Sequence, residues 1–305
     1  MARFLQVGNM TALAFAAAPT AAWSAHLDLR YDHHATHGTR LRHRHQGPLR
    51  VFKSLYPQGR ECCHTVLIHP PGGLVGGDEL AVHAELSEDA HALISTPGAT
   101  RFYASDGPIA RQSVQLKLAP GSRLEWCPLE SIAYPGCRAS NHWYAQLSPG
   151  AELMAWDIVA LGLPSTGAPF THGAYRQHMA IEGLWLERAQ LNADDHLLMD
   201  GQLGLAGHRA MATLCWFSGS ALSPARQQRL LEAARERLER DLASAPPADQ
   251  VPLKLAVTCP NRHGLVLRGL AAQTEPLMHA LQSVWAEWRA QAWGLSADAP
   301  RIWRV

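Results

Sequence analysis

The 305-residue sequence has none of the compact motifs that usually announce a nucleotide or a catalytic metal. It contains no CxxC pair: Cys62, Cys63, Cys127, Cys137, Cys215 and Cys259 are scattered, and the adjacent Cys62-Cys63 lacks zinc-knuckle spacing. Thiols so dispersed read as reduced, which favours the cytoplasm. Charge of one sign is missing too, since 27 Lys and Arg against 26 Asp and Glu leave a net +1. No basic field therefore argues for nucleic acid. No stretch approaches the ~18 apolar residues of a membrane span. HExxH and GxSxG are absent, which removes the simplest zinc-peptidase and serine-hydrolase readings.

The N-terminus imitates an export signal without completing one. Arg3 precedes TALAFAAAPTAAWSA, but the apolar run is short and Ala-rich, with Gln6 and Asn9 upstream. The expectation is a flexible extension over residues 1–24, followed by one β-rich domain over 25–305.

Glycine is concentrated in residues 68–80, IHPPGGLVGGDEL. A phosphate loop would need Gly-Lys-Ser/Thr opening a helix, and a dinucleotide fold would need GxGxxG. Here Gly76-Gly77 leads into Asp78, an anion that would repel phosphate. The stretch reads as a shaped turn.

From about Ala25 to Ala210 the pattern is mainly strand. In RQSVQLKL, Val114, Leu116 and Leu118 alternate with polar residues, the mark of a half-buried strand. AELMAWDIVALGL is continuously apolar and reads as buried on both faces. The phrases LSEDAHALIST, LAPGSRLEWCP and LSPGAELMAWD begin at Leu86, Leu118 and Leu147, a period of roughly thirty residues that suggests stacked, solenoid-like β units. Two C-terminal helices complete a mainly β fold. One opens at Ser223-Pro224 as N-cap and first helical residue. The other runs from near Glu275 to Trp293 and stops at Gly294. The helical part thus spans about 223–293, with LKLAVTC and GLVLRGL as strands between.

Candidate chemistry is sparse. His33, His34, His37, His43 and His45 suit a borderline metal by type, but Arg40, Arg42 and Arg44 are interleaved, which favours a solvated strand and turn. Carboxylates inside apolar runs are more telling. Asp157 in LMAWDIVAL and Glu187 in LWLERAQL are costly there unless paired, hydrated or bound to a cation. Arg188 is no automatic partner for Glu187, because adjacent strand residues face opposite sides. Asp78 suits a turn cap and Thr100 a turn hydroxyl. Most of the ten tryptophans sit in apolar strands or the last helix, as core or interface.

Several phrases together resemble one family: RHQGPLRVFKSLYPQG, CHTVLIHPPGGLVGGDEL, STPGATRFYASDG, LEWCPLESIAYPG, MAWDIVALGLP, LWLERAQL and the closing PRIWRV. They resemble the UreD, or UreH, urease accessory proteins from about Ala25 to Val305. The resemblance implies a non-enzymatic scaffold that binds the urease apoprotein and UreF, which recruits the GTPase UreG. It implies no tightly held cofactor and Ni2+ in transit through an internal polar tunnel. Matching positions make Asp78, Asp157 and Glu187 transient nickel contacts and Thr100 a tunnel-lining residue. Trp285, Trp288 and Trp293 are expected to contact UreF, since a lone helix pair buries so many rings with difficulty. Cys127 departs from the family pattern, as do the extension and the density of histidines in the opening strand. The competing readings are a metal-dependent hydrolase on a β scaffold and a periplasmic metal-binding protein. Neither a membrane nor nucleic acid is an expected partner.

Overall fold

The computed structural model describes residues 22–163, 166–244, 252–296 and 298–304. The expected N-terminal extension up to residue 21, and most of the loop ASAPPADQ, lie outside them. The chain begins with β1 (Ser24–His34), β2 (Gly38–Gln46), β3 (Arg50–Leu55), β4 (Cys62–Ile68), β5 (Glu79–Leu86) and β6 (His91–Ser95). It continues through β7 (Thr100–Phe102), β8 (Ala110–Leu118), β9 (Arg123–Trp126), β10 (Ser131–Ala133), β11 (Arg138–Leu147) and β12 (Glu152–Leu163). Next come β13 (Ala168–Pro169), β14 (Ala174–Ile181), β15 (Trp185–Asn192), α1 (His196–Asp200) and β16 (Ala210–Ser218). The last elements are α2 (Pro224–Ser244), β17 (Leu253–Asn261), β18 (Gly264–Ala271), α3 (Thr274–Trp293) and a 3-10 turn, Arg301–Arg304. No helix among the described residues is long and apolar enough to cross a membrane.

Two sheets face one another. The first runs β15-β14-β11-β8-β5-β1-β2, and the second runs β17-β18-β16-β12-β9-β6-β4-β3, with β7, β10 and β13 at its side. The repeated phrase is the coil that joins them. Its leading leucines stack in register, Leu86 opposite Leu118 and Leu118 opposite Leu147, on the parallel inner strands of the first sheet. Five residues on, His91, Arg123 and Glu152 stack likewise in the second. The corner between needs a left-handed residue, supplied by Gly121 (φ 72°), Gly150 (φ 78°) and, less comfortably, Asp89 (φ 57°). Backbone bonds such as Asp89 N–H to Pro120 O (3.2 Å) and Glu152 N–H to Ser122 O (2.9 Å) tie successive corners. The solenoid-like stack expected from the thirty-residue period is present.

β12 shows why its sequence is apolar throughout. Leu153, Ala155, Val159 and Leu161 enter the core between the sheets, while Met154, Trp156 and Ile158 enter a second core beneath the helices. Both helix ends behave as expected: Ser223 Oγ accepts from Arg226 N–H at 3.2 Å, and Gly294 closes α3 with φ 65°. The short helix α1, capped by Asp195, carries no amphipathic signal of its own and was not anticipated from the sequence.

The premise of a lone helix pair is corrected by this layering. Trp285 and Trp288 are fully buried and Trp293 nearly so, in the chain's own second core. The helix pair is not a lone appendage, because the outer face of the second sheet covers its rings. Carboxylates rising from that face hold them: Trp285 Nε1 donates to Glu125 Oε2 at 2.5 Å, and Trp293 Nε1 donates to Glu152.

Candidate functional site

The interior between the sheets should be wholly apolar, yet one polar row crosses it. In the first sheet, Gln112 lies opposite Asn141 and Asn141 opposite Gln177, on the parallel strands β8, β11 and β14. In the second, Asp157 lies opposite Thr213 and Thr213 opposite Arg268, on β12, β16 and β18. Strand side chains alternate between faces, and the apolar neighbours of these residues on both sides enter the inter-sheet core. The two rows meet at Asp157. Gln112 Nε2 donates to Asn141 Oδ1 (3.1 Å), and Asn141 Nδ2 donates to Asp157 Oδ2 (2.9 Å). Gln177 Nε2 donates to Asp157 Oδ1 (2.7 Å).

Asp157 is only 6% exposed, and burial pushes its carboxyl up to about 6. The two amide donors work against that rise, and the charge of Glu187 adds to it. The carboxylate is thus bonded by neutral groups only and carries an uncompensated charge when ionised. Such a group attracts a cation.

At one end the row opens into a cavity of about 450 Å³, lined by Gln112, Thr100, His69, Trp126 and the backbone of Gly72 and Gly73. The glycine stretch is therefore the rim of this cavity. Asp78 braces the rim: its Oδ2 accepts from Val75 N–H (3.0 Å) and its Oδ1 from Trp23 N–H (3.3 Å). His69 leans on Trp23 with ring centroids 4.8 Å apart, and burial lowers its pKa by disfavouring the charged imidazole. Three buried polar atoms in the cavity and beside the row lack a hydrogen-bond partner: His69 Nε2, Tyr175 Oη and Gln177 Oε1. At the other end Glu187 takes Thr213 Oγ1 on Oε1 (3.0 Å) and Arg268 on Oε2, Nε at 2.8 Å.

The four residues singled out from sequence are thus distributed. Asp157 and Glu187 share the far part of the row, Thr100 lines the cavity, and Asp78 shapes its rim. Glu187 is not deep in a buried strand, as its place in the apolar run LWLERAQL suggests it would be. Its strand β15 is the edge of the first sheet, where Leu186 is half exposed. Sequence reading missed Gln112, Asn141 and Gln177, whose amides look like surface residues until the strands are stacked.

The histidine-rich segment is the β1–β2 hairpin, where His34, His37, His43 and His45 are exposed and His33 half-buried. Arg42 pairs with Asp32 at 2.6 Å, as a solvated face would. Among the described residues, the group of three metal-type donors that does come together is elsewhere: Cys62, His91 and Glu125 beneath α3. Its donors are already engaged. Glu125 accepts from His91 Nε2 (2.7 Å), Trp285 Nε1 and Arg289 Nε (3.2 Å), and Arg289 is completely buried. Burial raises the Glu125 carboxyl, but His91 and the Arg289 charge outweigh it and hold it below the ordinary value. A dication would have to enter beside a buried guanidinium, so the cluster reads as an ion-paired anchor for α3.

The model of the family described as UreD urease accessory protein matches residues 24–304. A protein named urease accessory protein UreD from Albidiferax ferrireducens is 50% identical over 283 residues, covering 93% of this chain and 99% of its own. Those of the same name from Variovorax paradoxus and Leptothrix cholodnii are 47% and 48% identical, covering 92% and 93% of this chain and 99% of theirs. These relatives are named for an accessory role and not for a catalytic one.

Proposed function

Since the chain belongs to the UreD family of urease accessory proteins and so serves urease maturation, we propose that it is a cytoplasmic scaffold that hands Ni2+ to the urease apoprotein along its interior polar row. In this reading it binds the apoprotein and UreF, and UreG joins through UreF and supplies GTP hydrolysis. Nickel is cargo. The observation that carries the reading is Asp157, a buried carboxylate bonded only by neutral amides between a cavity and a second carboxylate.

The chemistry suits transit. Oxygen donors at Asp157 and Glu187 attract Ni2+ by charge, and the unpartnered atoms of His69, Tyr175 and Gln177 can hydrogen-bond the water it keeps. Nitrogen and sulfur donors gathered in one place would hold nickel tightly and stop it. Asp78 and Thr100 then act at the entrance, one through the shape of the rim and one through its hydroxyl. UreF remains a partner in this reading, but no contact is assigned to the buried Trp285, Trp288 or Trp293.

The metal-dependent hydrolase reading finds no support in the Cys62–His91–Glu125 group, whose carboxylate already belongs to Arg289.

The test is coexpression of this chain with urease and the other accessory proteins. Asp157→Leu and Glu187→Leu should lower urease-bound nickel and urease activity while the accessory complex still co-purifies. Asp157→Asn and Glu187→Gln report whether charge itself matters. Folded Leu variants that assemble and load nickel at the wild-type rate would sink the transit reading.

A further inference from the structure

Glu187 raises a difficulty for any cation that reaches it: both of its oxygens are occupied. Thr213 donates to Oε1, and the guanidinium of Arg268 covers Oε2 through Nε and a terminal nitrogen. The two partners differ in exposure. The Glu187 side chain is 16% exposed and that of Arg268 50%, so the carboxylate is sheltered while the guanidinium has a way out to solvent. Arg268 also completes the row Asp157–Thr213–Arg268 across three neighbouring strands. It is the one positive charge in that row. Arg188, next to Glu187 in sequence, makes no bond to it because it projects from the opposite face of β15.

We infer that Arg268 is a tethered counter-ion that closes the Glu187 end of the row, holding the carboxylate in place of the cation and yielding it only by swinging outward. This rests on the transit reading above and adds a gate to it. A guanidinium keeps its proton at any physiological pH, so the closure cannot be released by deprotonation. It must be released by movement: the half-exposed guanidinium regains water on leaving, and the sheltered carboxylate that it uncovers needs the arriving cation to take its place. With the arm in place, the row carries a neutral pair at its end and holds no dication there. With the arm out, Glu187 and Asp157 present two carboxylates to one dication.

The test is a titration of the purified full-length chain with Ni2+ alone, by calorimetry or competition with a chromogenic chelator. Wild type, Arg268→Gln, Arg268→Lys and the double variant Arg268→Gln/Glu187→Gln are compared. Arg268→Gln should bind Ni2+ at least roughly tenfold more tightly, as removal of a positive charge a few ångströms from the ion requires. The gain should vanish in the double variant, and Arg268→Lys, which keeps the charge, should stay with wild type. Weak binding by surface histidines is common to all four and cancels in the comparison. The gate is overturned if Arg268→Gln matches wild type, if its gain survives loss of Glu187, or if Lys behaves as Gln. Should the Gln variant fail to fold, Arg268→Met keeps the aliphatic stem, and the same outcomes decide. The two ideas fail separately. Normal urease loading by Asp157→Leu would remove the transit reading, whereas impaired loading with unchanged affinity in Arg268→Gln would remove only the gate.

Discussion

Asp157→Asn removes one charge and leaves the side-chain shape in place, so it separates what the carboxylate costs the fold from what it does for a cation. Burial raises the folded-state pKa from 3.8 to about 6. A shift of about 2 units corresponds to roughly 3 kcal/mol at pH values above both. The sign follows from linkage. The folded state holds the proton more tightly than the unfolded one, so this group favours folding most below 3.8, and that favour is lost as pH rises through about 6. Between about pH 7 and about pH 4.5, wild type should therefore gain roughly 2 kcal/mol that the Asn variant does not. At neutral pH the variant should be the more stable, by roughly 1–3 kcal/mol. The upper figure is reduced because an amide offers one acceptor to two donors, and a flip of Gln177, whose Oε1 has no other partner, recovers one bond. Urea denaturation of both proteins at the two pH values measures the difference directly, and contributions from other titrating groups cancel. A variant less stable than wild type at neutral pH, or a gap that does not change on acidification, would refute the reasoning.

Two further outcomes are expected. Glu125→Leu strands the fully buried Arg289 and should cost about 3–5 kcal/mol, whereas Glu125→Leu/Arg289→Met should cost far less than the two single changes summed. Additive costs in urea denaturation would show that the pair does not act as a unit. Gly121→Ala places a Cβ 2.2 Å from Asp89 Oδ1 at φ 72°, and should lose about 1–2 kcal/mol from the left-handed backbone alone. An unchanged thermal midpoint would mean that the coil corner tolerates an ordinary residue.

What could be read from the sequence follows physical range. The corner turns, the alternation in β8 and the cap at Ser223 are local, and each was visible in a few residues. Asp157 was visible as an anomaly, because a carboxylate in LMAWDIVAL conflicts with its neighbours wherever they fold. Its solution was not visible: the amides that bond it come from residues 16 and 20 positions away. Alone, Gln112 and Asn141 are indistinguishable from surface residues. Glu125 was overlooked for the same reason, since its partners Trp285 and Arg289 lie 160 and 164 residues further along. The sequence points the tryptophans of α3 at a partner because their cover, the outer face of the second sheet, is assembled from distant strands that precede α2 together with β17 and β18 between the two helices.

The in-register coils give the polar row a fixed metric. Gln112, Asn141 and Gln177 come from three successive strands of the first sheet, one side chain from each. Neighbouring strands are ~4.8 Å apart, so each added coil would lengthen the row by that amount and contribute one more inward residue of selectable type. Its reach is therefore counted in whole repeats. Deleting one coil would move its two ends together by a single strand spacing, while substitution within a coil changes only one station. Span and chemistry can thus vary independently in such a stack, the first by duplication and the second by point change.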